Sequence, residues 1–209
     1  MKTENLIAAL AADKRKALSP RRALAIALAA SVAAACALFF ILLGPRPDFV
    51  PAMHTMRFDF KFVAALALAA SAAAASARLM RPEGGHPLMV LFAAPALLAI
   101  AMALELIAVP ASEWGSRLVG HNAVLCMTFI PILSFAPLAL VLWALRHGAT
   151  QTPALTGAVA GLVAGGVGAL FYAAHCFDDS PLFVAVWYTI AVAFMAGLGA
   201  LLGSRLLRW

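Results

Sequence analysis

Asn122–Leu145 reads NAVLCMTFIPILSFAPLALVLWAL, an unbroken stretch with no charged side chain. As a helix rising 1.5 Å per residue it spans about 36 Å, more than the roughly 30 Å of a bilayer's hydrocarbon layer. Apolar side chains occur right around its helical projection, as expected of a segment whose whole circumference meets lipid or other apolar helices. Five more runs of this kind flank it: Ala23–Leu43, Phe60–Met80, Leu88–Val109, Pro153–Ala174 and Leu182–Gly203. Between the runs lie Pro, Gly and charged residues, as in Gly44-Pro45-Arg46-Pro47-Asp48 and Arg81-Pro82-Glu83-Gly84-Gly85. The second run is Ala-rich and begins beside Asp59 and Lys61, and Lys61 is expected to snorkel to the interface.

Composition excludes the soluble classes. Hydrophobic residues make up 65% of 209 positions and charged ones 11%, and the mean hydropathy is +0.97. A soluble domain of this size could not cover its surface from that inventory. The expected fold is an all-α integral membrane bundle of six transmembrane helices. Residues 1–22 form a basic N-terminal segment and 23–209 the transmembrane domain. The first run is longer than a signal-peptide core and ends in Gly-Pro-Arg-Pro without an Ala-x-Ala site, so it reads as a retained anchor.

Lys and Arg counts set the orientation. Eleven of the fifteen fall in the N-terminal segment, the second and fourth loops and the C-terminus; only Arg46, Arg57, Lys61 and Arg117 lie on the other side. The richer side is expected to be cytoplasmic, which puts both termini inside. The net charge of +6 then reflects topology and gives no reason to expect direct nucleic-acid binding. Trp114, Tyr172, Trp187 and Tyr188 fall where outer-interface anchors are expected, and Trp143 and Trp209 near the inner one. Gly157, Gly161 and Gly165, like Gly199 and Gly203, recur every four residues, a spacing that lets helix backbones approach closely.

Few residues offer chemistry. No nucleophile triad, HExxH or phosphate loop occurs, so an enzyme is not expected. Glu105 is the one acid inside a span; a small-molecule transporter or channel subunit using it is the alternative reading. Cys36 lies deep in the first span and reads as a small core hydrophobe. Cys126 and Cys176 fall at one membrane depth on the outer, solvent-accessible side, with His121, His175, Asp178 and Asp179 nearby. Two thiols and two imidazoles at one level suit either a disulfide or a transient soft-metal site, without any CxxC spacing to favour one. No resident cofactor is expected.

At the N-terminus Thr3 suits a helix cap, and Leu6, Ile7 and Leu10 form an apolar patch ahead of the basic cluster Lys14–Arg22. Such a helix fits anionic headgroups of the lipid bilayer or a cytoplasmic partner, and physics alone leaves both open.

Three stretches carry a resemblance: the opening Met1-Lys2-Thr3-Glu4-Asn5-Leu6-Ile7-Ala8-Ala9-Leu10-Ala11-Ala12-Asp13, the block His175-Cys176-Phe177-Asp178-Asp179-Ser180-Pro181-Leu182-Phe183-Val184-Ala185-Val186-Trp187-Tyr188, and the ending Gly203-Ser204-Arg205-Leu206-Leu207-Arg208-Trp209. On these the chain resembles the NrsF-type family of six-helix bacterial membrane anti-sigma factors. The resemblance implies a multi-pass protein of the bacterial inner membrane that sequesters an extracytoplasmic-function sigma factor. A metal or oxidative stress signal would release it. It further implies that Cys126 and Cys176 sense the signal and that Thr3, Leu6, Ile7 and Leu10 contact the sigma factor. The expected mechanism is mechanical coupling: joining the outer ends of the fourth and fifth spans shifts their inner ends.

Overall fold

The computed structural model describes residues 3–4, 18–81 and 88–208. Among these residues six helices are long and apolar enough to cross a membrane. They are α1 (Pro20–Leu42), α3 (Met56–Leu79), α4 (Ala93–Ala108, entered through a 3₁₀ turn Leu88–Phe92), α6 (Ala123–Leu145), α7 (Pro153–Ala173) and α8 (Pro181–Leu206). Two shorter helices, α2 (Phe49–Ala52) and α5 (Ala111–Val119), lie in connections that the sequence showed only as loops.

Helix starts follow their local chemistry. Proline occupies the first turn of α1, α7 and α8, where its missing N–H has no partner to lose. Ser180 caps α8 by accepting the Leu182 N–H at 3.3 Å. α6 runs unbroken through Pro131 and Pro137. Each proline withholds the N–H that would reach a carbonyl one turn back, and the lost bonds are local enough for packing on both sides to hold the helix.

α7 is the centre of the bundle. Of its span, 67% is buried, against 11% for α4, and it packs on α8, α6, α3 and α1. Glycine makes that position available. A Cβ on Gly157 would strike the Gly199 carbonyl and stand 2.7 Å from Gly203 Cα, and one on Gly161 would strike the Met195 carbonyl. The two glycine ladders of the sequence are therefore the facing surfaces of α7 and α8, close enough for backbone-to-backbone contact.

Apolar side chains stack in two layers along the bundle. One holds Leu24, Leu79, Leu138, Leu145, Val163 and Met195; the other holds Phe39, Cys126, Ile130, Tyr172, Cys176 and Phe183. The second lies at the end where the 44–55, 109–122 and 174–180 connections meet, called here the Arg46 end. Tyr172 and Tyr188, expected as interfacial anchors, are instead inside this layer at 0% and 5% exposure. They point inward because α7 is surrounded on all sides and α8 turns the same face to it. Trp114 and Trp143 do remain exposed. Cys36 is only half-buried, since α1 sits at the periphery with α6 as its main neighbour.

Candidate functional site

The Arg46 end is built around the seven residues His175–Pro181. Asp178 reaches the start of α6, where its Oδ2 accepts the backbone N–H groups of His121 (3.0 Å) and Asn122 (2.8 Å) and the Asn122 side-chain amide (2.9 Å). One carboxylate thereby satisfies donors that a helix start leaves open. Asp179 turns the other way, toward Arg46 after α1 (3.1 Å) and Lys61 on α3 (2.5 Å). Arg46 also donates a two-pronged pair to Asp48, at 2.7 and 2.6 Å, and packs its guanidinium over the Phe58 and Phe177 rings. The Cys176 carbonyl accepts from both cations, at 3.2 Å from Arg46 and 2.9 Å from Lys61. Bonding to Asp48 holds the Arg46 pKa well above its usual value and the Asp48 carboxyl below its own.

Lys61 overturns one expectation. Its side chain is 0% exposed and does not snorkel. α3 begins at Met56, four residues before the predicted run, so Lys61 lies well inside the helix on the face turned to the bundle. An ammonium there is tolerated only because a carboxylate and a carbonyl replace water.

Glu105 closes a second knot. Its Oε2 receives Arg57 (Nε 3.0 Å, Nη2 2.9 Å), and its Oε1 receives Arg117 (3.2 Å) and the Ser180 hydroxyl (3.4 Å). At 5% exposure both its oxygens are occupied, tying α3, α4, α5 and the cap of α8 together. Arg117 also bonds Glu113 one turn back (2.8 Å), which raises its pKa. All four Lys and Arg side chains of this end are thus held in ion pairs. The sequence signal was available: an Asp-Asp pair in a short loop, facing a region with four cations and no other use for them.

The thiols lie beneath this knot. Cys126, on the first turn of α6, and Cys176 are both fully buried in one apolar layer with Tyr172 and Tyr188. They are not solvent-accessible as expected from their depth, because the 175–181 segment folds over the start of α6. Both are free thiols. Burial pushes the Cys176 thiol above its usual pKa, and a buried thiol reacts slowly. The Cys176 thiol is near both tyrosine hydroxyls, yet neither hydroxyl makes a well-formed hydrogen bond.

The histidines stay apart from the thiols. The His121 ring is 96% exposed, 3.8 Å from Asp178 Oδ1, and His175 Nδ1 lies 3.0 Å from the Gly44 carbonyl. Among the described residues no three His, Cys, Asp or Glu side chains converge as a metal site would require. Of the expected sigma contacts, Thr3 is helical and exposed, while Leu6, Ile7 and Leu10 lie outside the described residues.

No solved structure matches the chain. It is 34% identical to the anti-sigma-F factor NrsF of Caulobacter vibrioides (strain NA1000 / CB15N), with all of both chains covered. It is also 34% identical to the probable anti-sigma-F factor NrsF of Azospira oryzae (strain ATCC BAA-33 / DSM 13638 / PS), again end to end. The family model described as negative regulator of sigma F matches residues 9–209, and the chain therefore belongs to the NrsF family.

Proposed function

We propose that this protein is a membrane-anchored anti-sigma factor that sequesters an extracytoplasmic-function sigma factor through its N-terminal segment and frees it when a stress signal opens the Arg46 end. The end-to-end kinship with two anti-sigma-F factors carries the regulatory part of this reading. The Lys and Arg asymmetry supports a cytoplasmic N-terminus and a periplasmic Arg46 end in a bacterial inner membrane.

The burial of Cys126 and Cys176 under an ion-pair knot supports a sensor that is closed at rest. A metal or oxidant reaches the thiols only when the 175–181 segment lifts, and capture of the exposed thiols then holds the open state. α7 and α8 meet backbone to backbone, so displacement at one end is carried along rigid, closely packed helices. No resident cofactor is needed. Glu105, with both oxygens bonded, favours this reading over a transporter.

The deciding experiment is pull-down of the intact protein from its native membrane, with identification of any sigma factor retained. Replacing Leu6, Ile7 and Leu10 by Ser should release that factor while the protein stays in the membrane. Burying three such side chains at about 1.5–3 kcal/mol each accounts for most of a micromolar affinity, about 8 kcal/mol. Undiminished retention by a normally inserted triple variant would refute the N-terminal contact.

A further inference from the structure

We propose that the buried pair Tyr172 and Tyr188 sets how readily the thiol layer opens. Their hydroxyls lack a hydrogen-bond partner while the 175–181 segment is down and gain water when it lifts. Among the described residues three buried side-chain oxygens have no partner, those of Ser76, Tyr172 and Tyr188. Two of the three meet in one layer, with ring centroids 5.9 Å apart and Cys176 against both hydroxyls. The layer around them includes Phe39, Ile130, Phe183 and Ala191, whose side chains offer no acceptor. The Cys176 sulfur is a weak acceptor, and its S–H is turned to the Asp178 carbonyl at 3.7 Å.

A buried tyrosine usually finds a partner for its hydroxyl. Phenylalanine would fill the same space without needing one, as Phe39 and Phe183 do in this layer, so packing alone gives no reason for either hydroxyl. Each unmet hydroxyl raises the free energy of the closed layer relative to any state in which it is wet. Cys176 belongs to the 175–181 segment and stands against both hydroxyls, so lifting that segment uncovers them. The ion pairs of Asp179 hold the segment down, and the two hydroxyls oppose them. In the closed sensor proposed above, on which this reading rests, a ligand that binds only the open form has its affinity reduced by the fraction open. The hydroxyls raise that fraction and so lower the signal concentration needed to capture the thiols.

The test is hydrogen–deuterium exchange with mass spectrometry on the full-length protein in detergent. It is read at the His175 and Cys176 N–H groups, which both bond the Tyr172 carbonyl in the closed state, at 2.9 and 3.1 Å. Tyr172→Phe and Tyr188→Phe should each slow this exchange at least about fivefold, and neither should lower the melting temperature. Ser76→Ala is the control, because it removes the third unpartnered oxygen beside Ala72 and Leu79 of the opposite layer. There the exchange at 175–176 should stay within about twofold of the parent. Unchanged or faster exchange in the tyrosine variants would overturn the proposal; faster exchange would mean that the hydroxyls are bonded and help to hold the layer shut. Equal slowing in Ser76→Ala, or a lower melting temperature in either tyrosine variant, would overturn it too. Exchange is measured without signal or sigma factor, so its outcome is decided separately from sensing and from sigma-factor binding.

Discussion

Asp179→Asn removes one negative charge from the knot while keeping the side chain's size. In the parent protein Asp179 is the carboxylate that faces Lys61, at 2.5 Å, and it also bonds Arg46 at 3.1 Å. Arg46 retains Asp48 after the change, but Lys61, fully buried, loses its carboxylate and keeps only uncharged partners: the Cys176 carbonyl, the Phe58 ring and the new amide oxygen. Removing one partner of a buried pair costs about 3–5 kcal/mol, because the other charge is left without water or counter-ion. That penalty falls on the segment covering Cys176, so local opening becomes easier by a like amount. With about 1.4 kcal/mol per factor of ten, maleimide labelling of Cys176 should speed up at least about 100-fold. Lys61→Met in the same chain removes the orphaned charge and should restore slow labelling. The assay is mass-spectrometric labelling kinetics on a Cys36→Ser, Cys126→Ser background. Labelling of Asp179→Asn within twofold of the parent, or no rescue by Lys61→Met, would refute the view that this ion pair holds the thiol layer shut.

Reporter fusions after Asp48, Trp114 and Asp178 should report the periplasm, and those after Glu83 and Thr150 the cytoplasm; a reversed pattern would overturn the orientation drawn from the basic residues. Gly161→Leu should destabilise the bundle by about 1–3 kcal/mol or more in thermal unfolding, since the added atoms meet the Met195 backbone and no flexible side chain can give way. In a sigma-dependent reporter strain, Cys126→Ser and Cys176→Ser should each abolish induction, with the double variant no worse than either single. Cys36→Ser should induce normally. Burial raises the Cys176 pKa, so if ionisation limited its alkylation the rate would rise about tenfold from pH 7 to 8; opening of the 175–181 segment limits it instead, and a rise well below tenfold is expected in the folded parent.

The six helices long and apolar enough to cross a membrane and the facing glycines of α7 and α8 were legible in the chain itself. Length and hydropathy are local properties, and a bilayer demands both of every crossing segment; a four-residue glycine repeat likewise marks one helix face whatever packs against it. Family membership was legible too, in the His175–Tyr188 block. The roles within that block were not. Lys61, placed by its position near a helix start, looked like a residue that could reach water, and only the packing of α3 against α7 and α8 turned it inward onto Asp179. Glu105 read as a lone acid inside a span, and only the fold brought Arg57, Arg117 and Ser180 to its two oxygens. Depth along a helix can be counted from residues, and so Cys126 and Cys176 were placed at one level. Exposure at that level depends on which loop folds over which helix end, and here the 175–181 segment covers both thiols. Hydrophobic length is a property of each segment alone, whereas the pairing of buried charges belongs to the assembled bundle, because every partner comes from a different helix or connection.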